Sequence, residues 1–231
     1  MAEPIGEQME PARLVIFDCD GTLVDSQGVI VAAMAAAFTA LGEEPPTPEA
    51  VRRIVGLSLD RAMTDLAPGA SPDQCARLVD AYRAHFPAAF EAVGSDEEAY
   101  PGVHDALAAL EEAGCLLGVA TGKGRPGLVA TLERHGLRER FVTLQTADRN
   151  PGKPHPAMAL NAMADAGAAP ETTALVGDTT YDMEMARAAG VTAIGVAWGY
   201  HPVQALTEAG ADHIARTFAK VVTLVASALV S

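Results

Sequence analysis

The chain places a short apolar run at residues 14–17 (LVIF) directly before two carboxylates, Asp18 and Asp20, and a Gly-Thr turn. An apolar run of this length that ends at a glycine turn predicts a strand buried on both faces, as in a parallel sheet. The carboxyl ends of such strands form the edge at which open α/β folds bind their ligands. Burying two carboxylates there is costly unless a metal or another charge compensates them. The segment therefore predicts a metal site, a nucleophile, or both.

Strand-like and helical patterns alternate along most of the remaining chain. Further apolar runs lie at residues 116–120, 141–144, 174–176 and 193–196, and helical patterns lie at residues 103–113, 126–135, 157–166 and 183–189. Each helical pattern ends beside a glycine, the residue that most readily closes a helix. This alternation predicts βαβ units, and therefore an α/β fold with a doubly wound, Rossmann-like parallel-sheet core.

One long segment interrupts the alternation. Helical patterns lie at residues 29–41, 48–55 and 73–90, separated by proline- and glycine-rich breaks, and no convincing strand lies among them. An all-helical block between the first strand and the next βα unit predicts an inserted domain. We therefore expect a helical cap at residues 26–98, with the core formed by residues 1–25 and 99–231.

The charge and the cysteines restrict the partners and the compartment. A net charge of -14 over 231 residues disfavours binding to nucleic acid or to an anionic membrane. The acidic segment 1–11 lacks the apolar centre of a secretory signal, and the apolar tail 221–230 is shorter than the roughly 20 residues of a membrane helix. The three cysteines show neither zinc-site spacing nor a disulfide framework. We expect a soluble, cytoplasmic protein, either a monomer or a homodimer.

Polar residues follow the predicted core strands at one edge of the sheet. Thr121 follows the second strand, Lys153 lies in a proline-rich loop before a helix, and Asp178 and Asp182 follow the run 174–176. Because loops after parallel strands emerge on the same edge, these side chains can converge on the carboxylates behind the first strand. A cluster of acids with one hydroxyl and one lysine is what phosphoryl transfer through an aspartyl-phosphate requires.

Several motifs together resemble those of the haloacid dehalogenase-like hydrolases. They are residues 18–26 (DCDGTLVDS), 121–123 (TGK), 153–156 (KPHP) and 177–182 (GDTTYD). The chain is most similar to the phosphoglycolate phosphatase-type branch, whose helical cap follows the first strand, and residues 195–200 (GVAWGY) also resemble that branch. The resemblance implies a Mg²⁺-dependent phosphatase that acts on a small phosphorylated metabolite, with phosphoglycolate as the named substrate.

The resemblance also implies a covalent mechanism. Asp18 would attack the phosphorus and form an aspartyl-phosphate. Asp20 would protonate the leaving alkoxide and then help a water molecule attack the intermediate, a role that suits a carboxyl of raised pKa. Lys153 would neutralise charge on Asp18 and on the phosphoryl group.

The metal site implied by the resemblance is built from oxygen ligands, which suit Mg²⁺. The carboxylates of Asp18 and Asp178 and the backbone carbonyl of Asp20 would bind the ion. Asp182 would support this site from behind the ligands or through water. From its position alone, Asp182 is also compatible with a simple acid in the first turn of a helix, which complements the helix dipole.

The glycine-rich turn after the second strand has two interpretations. In the first, implied by the resemblance, Thr121 and the amide of Gly122 hydrogen-bond the phosphoryl oxygens, with Lys123 nearby. In the second, residues 122–127 (GKGRPG) with Asp148 form a dinucleotide site. We disfavour the second, because the motif does not follow the first strand and the acids at this edge repel a pyrophosphate.

Other functions stay open, both among members of this family and among other classes of protein. A phosphosugar mutase or a pyrophosphatase shares the core constellation, and a phospho-acceptor signalling or binding domain shares its charges. Asp20 disfavours a dehalogenase, and the absence of lysine from residues 26–98 disfavours a phosphonate-cleaving enzyme that uses a cap lysine. We expect the cap segment 52–58 (RRIVGLS) to face the site and to help select the substrate.

Overall fold

The computed structural model describes residues 11–93 and 97–229. The acidic segment 1–10, the end of the apolar tail at residue 230, and residues 94–96 of the expected cap lie outside the described residues. No helix within the described ranges is long and apolar enough to cross a membrane.

A six-stranded parallel sheet forms the centre of the core. Its strands are β1 (Ala12–Phe17), β2 (Leu116–Thr121), β3 (Thr143–Thr146), β4 (Ala168–Gly177), β5 (Thr192–Val196) and β6 (His213–Ala215), and they lie in the order β3-β2-β1-β4-β5-β6. Strand β1 therefore lies in the interior of the sheet, between β2 and β4, and the chain winds outward from it in both directions. The carboxyl end of β1 is thus the switch point at which doubly wound sheets bind ligands, and the predicted fold class is confirmed.

Helices cover both faces of this sheet. On one face, α5 (Val103–Glu112), α6 (Arg125–Arg134) and α10 (Phe218–Ala228) bury their apolar sides with alternate residues of the strands. On the other face, α7 (Ala157–Ala166), α8 (Thr180–Ala189) and α9 (Val203–Glu208) do the same. Because the strands are covered on both sides, they are the continuous apolar runs that the sequence displays.

The inserted α-helical cap follows β1. It consists of α1 (Gln27–Ala40), α2 (Pro48–Ile54), α3 (Leu59–Leu66) and α4 (Pro72–Val93), which share an apolar cluster separate from the two core clusters. Its two connections to the core run side by side, since the amide of Asp25 donates to the carbonyl of Glu98 at 2.9 Å and the amide of Tyr100 donates to that of Leu23 at 3.0 Å. The described residues on either side of the cap are therefore pinned together where they join the core.

Some elements differ from the sequence prediction. The third strand was predicted at 141–144 but occupies Thr143–Thr146, because this edge strand pairs on one side only and does not need an unbroken apolar run. Val142, within the predicted run, is 58% exposed. Helix α3 was not predicted, because its mixture of charged and apolar residues lies between loop-like segments. The short elements α9 and β6 were also not predicted.

Candidate active site

The turn after β1 buries Asp18 and directs its side chain toward a lysine. The Oδ1 atom of Asp18 accepts a hydrogen bond from the amide of Cys19 at 2.6 Å, and its Oδ2 atom lies 2.8 Å from Nζ of Lys153. The same ammonium donates to Oδ1 of Asp182 at 2.6 Å. The three side chains of Asp18, Lys153 and Asp182 are almost completely buried, so the lysine is clamped between two carboxylates in a site of low dielectric.

The electrostatic environment of this buried group favours the protonated form of Asp18 and the charged form of Lys153. The pKa of Asp18 is raised from 3.8 to about 7, chiefly by burial; Lys153 opposes this shift, and Asp182 and Asp20 add to it. Burial also raises the pKa of Asp178, with further contributions from Asp182 and Asp18. Burial lowers the pKa of Lys153, but the carboxylates of Asp18 and Asp182 outweigh this effect and hold it above its ordinary value. One ammonium therefore does not compensate all the acids, and a further cation is needed to keep them ionised.

The acids at this edge fit a magnesium ion in donor type and in spacing. Asp18, Asp178 and Asp182 each offer a carboxylate oxygen, and these oxygens lie within 4.8 Å of one another. The Oδ2 atom of Asp18 is buried and accepts no well-directed hydrogen bond, although the ammonium of Lys153 is close to it. A buried anionic oxygen of this kind is a suitable ligand for a cation. Carboxylate oxygen is the ligand that Mg²⁺ prefers.

The two aspartates that follow β4 differ in their contacts. Asp178 accepts hydrogen bonds from Oγ1 of Thr22 at 2.8 Å and from the amide of Tyr200 at 2.9 Å, which fix its carboxylate beside Asp18. Asp182 accepts from the amide and the hydroxyl of Thr179 at 3.0 and 2.7 Å, and forms a capping box at the start of α8. Asp182 differs from Asp178 in that its Oδ1 atom already faces a cation, the ammonium of Lys153, so it is suited to orient that ammonium rather than to bind a metal directly.

A change at Gly21 tests how tightly this edge is packed. Gly21 has φ +83° and a Cβ there would overlap the carboxylate of Asp178, whereas Gly42 has φ +75° and nothing near its missing Cβ. Gly42→Ala is therefore expected to cost about 1–2 kcal/mol in unfolding free energy, from backbone strain alone. Gly21→Ala is expected to cost more than Gly42→Ala and to displace Asp178. Urea denaturation of both variants measures the difference, and equal losses would show that Gly21 does not pack against the site.

The other predicted site residues follow β1 and β2 and form a neighbouring group. Thr121 is buried, and its Oγ1 accepts a hydrogen bond from the amide of Lys123 at 3.2 Å. The side chain of Lys123 turns toward Asp20 and places Nζ 2.8 Å from Oδ1 of that residue. Gly122 lies against the cap, since a Cβ there would overlap the carbonyl oxygen of Leu57. The structure therefore brings Asp18 together with Lys153, and Asp20 together with Lys123.

The arrangement of these acids and lysines agrees with the protein family that the sequence matches. The sequence profile described as "Haloacid dehalogenase-like hydrolase" matches residues 15–196, which include the residues of both groups. The chain belongs to the haloacid dehalogenase-like hydrolases.

Individual relatives of this hydrolase are similar over most of their length. The chain is 41% identical over 213 residues to the "Probable phosphatase IndB" of Dickeya dadantii, with 90% of this chain and 91% of that protein covered. It is 34% identical over 203 residues to the phosphoglycolate phosphatase of Pseudomonas putida, with 84% and 74% covered. The crystal structure of a hydrolase from Pseudomonas syringae superposes with a TM-score of 0.82 at 26% identity, with 94% and 99% covered. These matches confirm the branch that the motifs predicted.

Glu97 is a buried residue of the hydrolase that the sequence interpretation missed. It accepts a hydrogen bond from the hydroxyl of Ser26 at 2.8 Å and pairs with Arg134 on α6. Its Oε1 atom lies 4.0 Å from the ammonium of Lys123, so it lies behind the lysine that contacts Asp20. Glu97 therefore ties both connections of the cap to the core. Its sequence context, a short acidic run, gives no signal of this role.

The cap segment 52–58 contributes to the site only in part. Residues 54–58 line a cavity beside Asp20, as expected. The expectation is wrong for the arginines, because Arg52 and Arg53 lie on α2, and Arg53 is exposed and pairs with Glu49. Arginine has a high helix propensity, so α2 extends through these two residues and they are not part of the loop that follows.

Two other sequence features have structural explanations. Asp148 accepts a hydrogen bond from the amide of Arg125 at 3.2 Å, at the start of α6, which is consistent with rejecting the dinucleotide interpretation. Cys19 is fully buried in the core, and burial raises the pKa of its thiol, which agrees with a packing role rather than a nucleophilic one.

Proposed function

We propose that the protein is a Mg²⁺-dependent phosphatase that hydrolyses a small phosphorylated metabolite through an aspartyl-phosphate on Asp18. Its family and its relatives named as phosphatases support hydrolysis of phosphate esters. The observation that carries the proposal is the buried, incompletely compensated carboxylate of Asp18, 2.8 Å from Lys153 and beside Asp178. The relative named phosphoglycolate phosphatase makes phosphoglycolate the reference substrate.

In the proposed reaction, two side chains after β1 divide the chemistry. The carboxylate of Asp18 forms a new oxygen–phosphorus bond while the bond between phosphorus and the leaving oxygen breaks. The carboxyl of Asp20 gives its proton to the leaving oxygen, and its carboxylate then takes a proton from the water that attacks the aspartyl-phosphate. Lys123, 2.8 Å from Asp20, orients that carboxyl and lies on the leaving-group side of the substrate.

Other groups stabilise the charge of the phosphoryl group. The hydroxyl of Thr121 and the amide of Gly122 donate hydrogen bonds to its oxygens, and the ammonium of Lys153 compensates its negative charge. Asp182 acts through Lys153, which it holds at 2.6 Å.

The proposed metal ligands are the carboxylates of Asp18 and Asp178 and the backbone carbonyl of Asp20, with Asp182 supporting the site through Lys153. When bound, Mg²⁺ would neutralise charge on the phosphoryl oxygens and on these carboxylates. For the domains, we propose the bounds 26–98 for the cap, which agree with the paired connections at Asp25 and Glu98. The cytoplasmic location and the choice between monomer and homodimer stay predictions.

An assay of phosphate release from several substrates tests the phosphatase against the phosphosugar mutase and pyrophosphatase alternatives. The family membership and the inserted cap give no support to a phospho-acceptor signalling domain. Ethyl phosphate, phosphoglycolate, a hexose phosphate and inorganic pyrophosphate are to be incubated with the protein, with Mg²⁺ or with a chelator. We expect phosphate release from the monoesters only with Mg²⁺. A well-folded preparation that releases no phosphate from any monoester would overturn the proposal.

The metal also has an effect that does not depend on turnover. Because the pKa of Asp18 rises from 3.8 to about 7 on folding without metal, the folded protein holds a proton that the unfolded chain has released in this range. The stability of the metal-free protein therefore falls as the pH rises through this range. Mg²⁺ competes with that proton, so we expect its stabilising effect on the Tm to be larger at about pH 8 than at about pH 5.5. A Tm shift that is independent of pH would contradict binding at Asp18.

A further inference from the structure

A cavity of about 420 Å³ lies beside Asp20, between the cap and the core. The loops after β1, β2 and β3 form its core wall, and α1, α4 and the segment around residues 54–60 form its cap wall. A volume of this size is typical of sites for ligands larger than a two-carbon acid. Because Asp20 is the proposed proton donor to the leaving oxygen, the leaving group of the substrate occupies this cavity.

The cap side of the cavity is predominantly apolar. Ile30 and Met34 on α1, Leu57 in the segment after α2, and Tyr82 and Phe86 on α4 line it. The rings of Tyr82 and Phe86 lie 5.7 Å apart and are tilted by 52°, a favourable geometry for aromatic contact. A wall of aliphatic and aromatic side chains stabilises an apolar ligand by removing its surface from water. The polar side-chain groups on this side are the hydroxyls of Ser58 and Tyr82, with Asp60 and Arg83 at the rim.

The charges that line the cavity do not suit a substrate carboxylate. Among its lining residues within the described ranges, two are cations, Lys123 and Arg83. The ammonium of Lys123 lies 2.8 Å from Asp20 and 4.0 Å from the buried carboxylate of Glu97, which still compensates it when Asp20 is protonated, and the side chain of Arg83 is 62% exposed at the rim. The same rim carries the carboxylates of Asp60 and Asp148, in a chain of net charge -14. A carboxylate on the leaving group would therefore be desolvated close to like charge.

We propose that the preferred substrates are phosphate monoesters whose leaving alcohol carries an uncharged apolar group, an alkyl chain or an aromatic ring. This inference rests on the proposed phosphatase function and replaces phosphoglycolate as the best substrate. In the first step, the phosphorus–oxygen bond to this alcohol breaks, a phosphorus–oxygen bond to Asp18 forms, and Asp20 gives its proton to the departing alkoxide. The apolar group stays in the cavity until the neutral alcohol dissociates.

A series of alkyl phosphates tests this inference. Ethyl, butyl and hexyl phosphate have leaving alcohols of nearly equal acidity, so their relative kcat/KM values report contacts with the alkyl chain. We expect kcat/KM to rise about fourfold for each buried methylene group, which gives about a 250-fold advantage of hexyl over ethyl phosphate. We also expect phosphoglycolate to be a poorer substrate than hexyl phosphate. A kcat/KM that stays flat or falls with chain length, or is higher for phosphoglycolate, would overturn the inference.

Two cap variants locate the contact. Phe86→Ala removes part of the apolar wall, and we expect it to lower the ratio of kcat/KM for hexyl over ethyl phosphate about tenfold. Leu41→Ala is the matched control, because Leu41 is an exposed apolar residue of the cap that does not line this cavity. The control is expected to leave the ratio unchanged. Equal ratios in the two variants would place the alkyl group elsewhere and contradict the inference.

A binding measurement separates failure of this inference from failure of the proposed function. Titration calorimetry of the Asp18→Asn variant with ethyl and hexyl phosphate, in buffer with Mg²⁺, gives the ratio of their Kd values without turnover. Tighter binding of hexyl phosphate, together with hydrolysis by the wild-type protein, supports the inference. Tighter binding without hydrolysis of any ester would overturn the proposed function, and with it the assignment of substrates, while still placing the apolar group in the cavity. Equal binding of the two esters would overturn the inference, and hydrolysis of both would then leave the proposed function standing.

Discussion

Replacing Asp18 by asparagine is expected to lower kcat by on the order of 10⁴-fold or more, because the variant keeps the shape of the side chain but removes the proposed nucleophile. The fold is expected to survive. Burial raises the pKa of Asp18 to about 7, so its charge is costly in the metal-free protein, and removing that charge does not lower the unfolding free energy above this pH. Steady-state kinetics and urea denaturation at about pH 8 measure the two effects.

Asp165→Asn serves as the matched control for this variant. Asp165 accepts hydrogen bonds from Thr143 and Gln145 and belongs to neither group of the candidate site. We expect its kcat to stay within about threefold of wild type. If Asp18→Asn retained a tenth or more of the wild-type kcat, Asp18 would not be the nucleophile.

Replacing Lys153 by methionine is expected to have the largest effect on stability. The side chain keeps a similar length, but the carboxylates of Asp18 and Asp182, at 2.8 and 2.6 Å from the ammonium, lose their shared cation in a fully buried site. Removing one partner of a buried ion pair costs about 3–5 kcal/mol in unfolding free energy. Loss of the charge that compensates the phosphoryl group is expected to lower kcat by about 10²–10³-fold as well.

The pH dependence of the Lys153→Met effect identifies its cause. Lys153 lowers the pKa of Asp18, so without the ammonium that pKa lies above its wild-type value of about 7. The loss of stability is therefore expected to be largest at about pH 9 and to shrink as the pH falls toward 7, because Asp18 takes up a proton in the variant while it is still ionised in the wild-type protein. Lys220→Met on α10 is the control, because Lys220 is exposed and is expected to contribute less than about 0.5 kcal/mol. A loss for Lys153→Met that is constant between about pH 7 and pH 9 would indicate a packing effect rather than an unpaired charge.

Strong local patterns made the core predictable from the sequence. The buried run before Asp18 corresponds to β1, and the helical pattern at 157–166 corresponds to α7, because in both cases periodicity and end signals agree. The edge strand β3 and the helix α3 were harder to predict from the sequence. The position of β3 depends on its pairing with β2, and the formation of α3 depends on its packing against α4. Both are contacts between separate elements, which a local sequence pattern does not show.

The convergence of the candidate site residues at one edge of the sheet was predictable, but not all of their pairings. The ends of parallel strands meet at one edge, so the sequence interpretation could gather Asp18, Asp20, Lys153 and Asp178. The resemblance implied that Lys153 neutralises Asp18, but nothing in the sequence paired Lys123 with Asp20 or Lys153 with Asp182, because side-chain reach and burial decide which carboxylate an ammonium meets. Glu97, which lies behind Lys123, comes from the far connection of the cap and has no motif of its own.

The most direct test of the central claim is to locate the phosphoryl group on the enzyme during turnover. Wild-type protein is to be mixed with Mg²⁺ and excess radiolabelled alkyl phosphate, quenched in acid, digested, and mapped by mass spectrometry. We predict an acid-stable, hydroxylamine-sensitive label on the peptide that contains Asp18, and no label on the Asp18→Asn variant. Rapid turnover with no labelled peptide, or with the label on another residue, would contradict a mechanism in which Asp18 is the nucleophile.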